Sequence, residues 1–153
     1  MGVSGCGKTT IASRLAEKLG WAFIESDSYH SGEHIRKMAS GIPLTDVDRQ
    51  PWLETLNDLL ANFSSKDQPA VLACSALKEK YRQILTAGLM NVQFVYLKGD
   101  YDLIWQRMQE RQHYMKPSML RSQFDALEEP ENALVIDIAL PPETIVSEIL
   151  RQI

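Results

Sequence analysis

The sequence holds little that would mark a secreted, membrane-spanning or nucleic-acid-binding protein. Only two cysteines occur, Cys6 and Cys74, too few for a disulfide-stapled scaffold and placed where free thiols suit a reducing compartment. No apolar run approaches the roughly 18 residues of a membrane span, and the N-terminus lacks the basic-then-apolar layout of a signal peptide. A cytoplasmic protein is expected. Lys and Arg total 16 against 20 Asp and Glu, a net charge of −4, so the overall field does not draw the chain to nucleic-acid phosphates or anionic lipid. No nucleic-acid or membrane partner is expected, and any bound anion must be held locally. Low-complexity tracts and tandem repeats are missing as well, which excludes disordered and solenoid classes.

What is present suits one globular domain over residues 1–153, with 44% hydrophobic residues to build its core. Short runs rich in β-branched and aromatic residues, Ala22–Glu25, Ala70–Cys74, Val92–Leu97 and Leu134–Ile138, have the length of strands. They alternate with helical patterns over roughly Lys8–Leu19, Glu33–Ala39, Trp52–Phe63, Lys78–Ala87, Tyr101–Arg111, Pro117–Leu127 and Pro142–Gln152. Alternation of this kind predicts βαβ units: a three-layer α/β/α fold with a parallel sheet covered on both faces. Ligands in such sheets bind beyond the carboxyl ends of the strands. Asp27, Tyr29 and His30 follow the first run, Ser75 and Lys78 the second, Gly99 and Asp100 the third.

The segment Gly2-Val3-Ser4-Gly5-Cys6-Gly7-Lys8-Thr9 meets the pattern G-x-x-x-x-G-K-[ST], and Thr10, Ile11, Ala12, Leu15 and Leu19 continue it at helical spacing. Chance would produce the pattern in roughly half a per cent of chains this long. Glycines at these points let successive N–H groups turn inward as an anion nest, and a helix N-terminus adds more donors. Lys8 is expected on the β- and γ-phosphates of ATP, with the Thr9 hydroxyl as a ligand of Mg²⁺. A loop of this type normally follows a strand, and here only Met1 precedes it. The first strand is therefore expected to be missing, and a truncated sequence is the favoured reason. That strand would be central, and its loss leaves two neighbours with unpaired backbone groups.

Asp27 falls at the carboxyl end of the next strand, facing the γ-phosphate, where a kinase needs a carboxylate to accept a hydroxyl proton or hold the metal's water. A helix cap is the alternative for Asp27. In Gly41-Ile-Pro-Leu-Thr-Asp-Val-Asp-Arg49, Thr45 or Asp48 can cap a helix, and Asp46, Asp48 and Arg49 suit either a local charge network or substrate binding.

Taken together, Gly2–Thr9, Asp27-Ser-Tyr-His30, Lys37-Met38, Gly41-Ile-Pro-Leu-Thr-Asp46, Asp48-Arg49, Pro51-Trp-Leu53, Cys74-Ser-Ala-Leu-Lys78, Tyr81-Arg82, Gly99, Ser122-Gln-Phe124 and Leu127-Glu128 resemble the gluconokinase family of P-loop carbohydrate kinases. The likeness runs in order over nearly the whole chain. It implies transfer of the ATP γ-phosphate to the 6-hydroxyl of D-gluconate, a nucleoside-monophosphate-kinase-like fold with a mobile lid over about residues 111–124, and a possible homodimer. Gluconate is a small anionic polyol. Its carboxylate calls for cations such as Arg49, Lys78 or Arg82, and its hydroxyls suit Asp27, His30 and Gln123. Lys78 and Arg82 also fit a solvated basic helix face.

Arg107, Arg111, His113, Tyr114, Lys116 and Arg121 form a basic cluster suited to such a lid, with Arg107 and Arg111 expected to stabilise the transferring phosphoryl group or, alternatively, to be ordinary surface cations. The chain departs from the family pattern at Ser26, where relatives carry Gly, at His34, where they usually carry Asn, and near Arg111-Gln-His113, which is one residue short. A shikimate- or nucleotide-type kinase, or an inactive truncated isoform acting only as a binding partner, are the competing readings.

Overall fold

The computed structural model describes residues 1–110 and 117–153. Helix begins where the glycines of the loop end. α1 (Lys8–Leu19) buries Ile11, Ala12, Leu15 and Ala16 along one stripe, and Gly20, at φ 67°, closes it by donating its N–H to the carbonyls of Ala16 and Glu17. β1 (Ala22–Glu25) follows at once and runs into a 3₁₀ turn, Ser26–Tyr29. α2 (Gly32–Ala39) starts from Ser31, whose side chain accepts the His34 N–H.

α3 (Asp46–Ser65) begins at Asp46 and not near Trp52, because Thr45 and Asp48 form a capping box, each side chain accepting the other's backbone N–H. The cap holds helix ahead of Pro51, whose ring alone would have argued for a later start. β2 (Ala70–Ala73), α4 (Glu79–Thr86), β3 (Val95–Lys98), α5 (Tyr101–Glu110), α6 (Pro117–Ala126), β4 (Leu134–Asp137) and α7 (Pro142–Leu150) complete the order. β3 is shorter than its apolar run, since Asn91 turns at φ 58° and Val92 stands exposed.

The strands pair in parallel as β1–β2, with Ala22 opposite Ala70, and as β3–β4, with Val95 opposite Leu134. Between the two pairs lie Met1 and Gly2. Leu97 donates its N–H to the Met1 carbonyl, the Met1 amine donates to Val95, and the Gly2 N–H reaches the Ser75 carbonyl. Two residues thus stand between the two strand pairs, where the strand expected to be missing would run. Among the described residues no strand precedes α1.

One core gathers α1, α5, α6 and α7 over the inward side chains of β3 and β4, including Ile104, Leu120 and Ile136. The other packs Trp52, Leu53 and Leu56 of α3 and Tyr81 and Leu85 of α4 over Leu72 and Cys74. Helices on both faces of a parallel sheet make the expected three layers. No described helix is long and apolar enough to cross a membrane.

Candidate active site

The phosphate loop is shaped by close approach as much as by backbone freedom. Gly5 has φ +80°, and a Cβ there would lie 2.7 Å from Met108 Cγ and 2.8 Å from its Sδ. Gly7, at φ +98°, faces open space, as a residue beneath a bound phosphate must. Val3 and Cys6 are buried beneath the loop and anchor it, while Thr10 lies in the first turn of α1. Lys8 Nζ donates to the Val3 carbonyl at 2.9 Å and so lies across the loop. Gly5→Ala is expected to push Met108 aside and displace the loop, raising the KM for ATP by about tenfold or more. Steady-state kinetics at saturating acceptor measures this.

Below Lys8, the Thr9 hydroxyl donates to Glu25 Oε2 at 2.6 Å. A hydroxyl and a carboxylate side by side at the foot of a phosphate loop are hard oxygen donors of the kind Mg²⁺ takes. Glu25 was read in the sequence only as the last residue of a strand. Its signal was available: it stands two residues before Asp27, on the strand end where ligands bind.

The 3₁₀ turn after β1 lifts Asp27 into the opening, its side chain 81% exposed. Trp52 Nε1 donates to the Ser26 carbonyl at 2.9 Å and ties this turn to α3. His30 Nε2 stands 3.7 Å from Asp27 Oδ1. The His30 ring is the main influence holding the Asp27 carboxyl below its ordinary range; Lys8 adds to it and partial burial opposes it.

A cleft of about 720 Å³ joins these groups, lined by Ser4, Lys8, Asp27 and His30 on the phosphate side and by Thr45, Asp46, Arg49, Lys78 and Tyr81 opposite. Gln123 of α6 closes a third wall, its Oε1 accepting the Ser4 N–H at 2.6 Å. Lys78, at the N-cap of α4, reaches Asp46 Oδ1 at 3.2 Å, and Lys80 and the Tyr81 hydroxyl donate to the same carboxylate. These three donors, Lys80 foremost, hold the Asp46 carboxyl far below its usual range. Arg49 donates to the Leu44 carbonyl and sits 5.6 Å from the centre of the Tyr81 ring. Lys78 and Lys80 pair with Asp46, and Arg49 joins them over the Tyr81 ring, so cations outnumber the carboxylate and leave this wall electropositive. Asp48 belongs elsewhere: it caps α3 and pairs with Lys37 at 2.7 Å.

Lys8, Asp27, His30, Arg49, Lys78 and Gln123 thus come together around one opening, with Thr9 next to Lys8 and bonded to Glu25. Arg82 does not. It is 3% exposed, pairs with Glu79, and donates to the carbonyls of Ala76 and Leu77, fixing the turn that presents Lys78. It faces a second cavity lined by Glu79, Glu128 and Glu129. The alternative of a solvated basic face fails for the same reason, since the guanidinium is buried. Arg107 donates to the Ile138 carbonyl at 2.7 Å, at the carboxyl end of β4 and off the cleft wall. Arg121 lies over the Tyr101 ring at 4.4 Å. Arg111, His113, Tyr114 and Lys116, with the first part of the expected lid, lie outside the described residues. Tyr81 was quoted in the sequence pattern without a role, and the fold makes it the floor under three cations.

A phosphate loop at the start of α1 in a parallel α/β/α fold, with a carboxylate beyond the next strand, defines a P-loop kinase. A family model for shikimate kinase matches residues 4–153. The thermoresistant gluconokinase of Escherichia coli (strain K12) is 44% identical over 158 residues, covering 100% of this chain and 90% of that protein. A probable gluconokinase of Mus musculus is 45% identical over 159 residues, covering 90% of this chain and 86% of that one. The crystal structure of a gluconokinase from Sinorhizobium meliloti 1021 superposes with a TM-score of 0.90 at 42% identity, covering 99% of this chain and 87% of its own. The chain belongs to the gluconokinase family, and it is an enzyme of the phosphotransferase class.

Proposed function

We propose that the protein transfers the γ-phosphate of ATP to the 6-hydroxyl of D-gluconate, giving 6-phosphogluconate and ADP. The observation that carries this reading is the arrangement of one cleft, with Lys8 and Asp27 on one wall and Arg49 and Lys78 on the other. A short anionic polyol spans that opening, its carboxylate on the cationic wall and its far hydroxyl beside Asp27.

The loop amides and Lys8 hold the triphosphate and draw negative charge toward the bridging oxygen as it leaves. Asp27, ionised at neutral pH, accepts the proton of the 6-hydroxyl as its oxygen bonds to the γ-phosphorus and the bond to the β-phosphate oxygen breaks. Thr9 and Glu25 would hold Mg²⁺, which when bound neutralises phosphate charge. Gln123 borders the polyol side and orients it. Arg111, outside the described residues, remains the candidate to supply further positive charge to the transferring group.

A coupled ADP-release assay offering gluconate, shikimate, nucleoside monophosphates and pantothenate tests the assignment. Gluconate is expected to be the preferred acceptor. Preference for shikimate would instead match the description of the broader family model, and preference for any other acceptor would sink the gluconate reading.

A further inference from the structure

Two buried ring nitrogens have no hydrogen-bond partner among the described residues, Nδ1 of His30 and Nδ1 of His34. The His30 side chain is 4% exposed although its neighbour Asp27 is open to the cleft. Its ring lies flat on Trp52, with centroids 4.3 Å apart and planes 17° apart, and the His34 ring meets it edgewise at 5.7 Å. Trp52 is itself pinned through the Ser26 carbonyl. The imidazole is therefore held between two rings.

A neutral imidazole carries its proton on one nitrogen only. Placed on Nδ1 of His30, that proton would be a buried donor with nothing to accept it, the kind of group folded proteins rarely tolerate. Placed on Nε2, it points toward the Asp27 carboxylate and leaves Nδ1 as a bare lone pair among aromatic walls. Packing thus selects the Nε2–H form. At 3.7 Å the contact is electrostatic, and a small rotation of the exposed Asp27 side chain closes it to a hydrogen bond.

We propose that His30 is a positioning residue: clamped by Trp52 and His34, it aims its Nε2–H at Asp27 and so orients that carboxylate toward the acceptor hydroxyl. This rests on the reading of Asp27 as the base. It also gives His30 a different task from contacting the polyol. The charged or titratable groups facing the pair are Lys8 from α1, which also favours the ionised Asp27, and His34 from α2. Trp52 from α3 adds no charge.

Without the ring's N–H the Asp27 carboxylate loses the contact that orients it, which affects turnover and not ATP binding. His30→Phe keeps the stack on Trp52 and removes the N–H. It is expected to lower kcat by about tenfold, with the KM for ATP and the melting temperature near those of the parent. His30→Gln restores a donor and is expected to recover part of kcat. A kcat unchanged in His30→Phe, or a Gln variant no faster than the Phe variant, overturns the proposal. Should the Phe variant fail to fold, nitrogen NMR of the histidine-labelled parent decides it, since an Nδ1–H form at His30 is incompatible with the role. Asp27→Asn run alongside separates two failures. If it keeps its turnover, the base assignment falls and this inference with it; if it loses turnover while His30→Phe turns over like the parent, only the positioning role falls.

Discussion

Asp27→Asn is expected to lower kcat by about 10²–10⁴-fold while leaving the KM for ATP within about threefold of the parent, the pattern of a lost proton acceptor. The substitution keeps the shape of the side chain and its exposure to the cleft. What it removes is the ability to take a proton while the acceptor oxygen is still forming its bond to phosphorus. Among the described residues the Asp27 carboxylate pairs with His30, and Lys8 of the loop acts on it only through its charge. ATP binding therefore depends on other groups. Initial-rate kinetics with each substrate varied in turn measures both parameters, and turnover within about fivefold of the parent would remove Asp27 from the chemistry.

A second large effect is expected at Lys8. Lys8→Met retains the length and apolar stem of the side chain, so α1 and the loop should remain folded, with a melting temperature close to that of the parent. What is lost is the one side-chain cation that starts from inside the loop, lying across it against the Val3 carbonyl. Charge developing on the phosphate oxygens would then go uncompensated at that point, and kcat/KM for ATP is expected to fall by about 10²–10³-fold. Loss confined to KM, with kcat intact, would mean that Lys8 serves ground-state binding only.

The two substitutions probe opposite sides of one transfer. Lys8 acts on the donor phosphates, Asp27 on the acceptor hydroxyl. The cationic wall of Arg49 and Lys78 lies beyond both, with Lys78 held by Asp46 and Arg49 by the Leu44 carbonyl and the Tyr81 ring before any substrate enters. Preorganisation of this kind spares the cost of ordering long side chains on binding.

Much of this was legible in the residues themselves. α1 and β1 have the bounds their patterns predict, because an amphipathic stripe closed by glycine and a short β-branched run carry their signals locally. The phosphate loop was legible for a similar reason: glycine spacing is a backbone requirement, and it is met or not within eight residues. Asp27 could be placed because the strand before it points its carboxyl end at the ligand. Thr45 and Asp48 were cap candidates, and both serve. The depth to which that cap carries α3 back from Trp52 was not legible, since Pro51 reads as a boundary when the capping box is not seen in three dimensions.

What the chain's order alone determined is therefore local: the nucleotide loop, the alternation that builds three layers, and the carboxylate after β1. Tertiary structure decided which of the chain's cations serve the cleft. Lys78 and Arg82 lie one helical turn apart and look alike in sequence, yet Lys78 pairs with Asp46 on the cleft wall while Arg82 is buried on carbonyls behind it. It also put Glu25 beside Thr9, Tyr81 beneath three cations, and His30 between Trp52 and His34. These pairings join residues from different elements, and a side chain's direction across such a gap is set by packing, which no local pattern encodes.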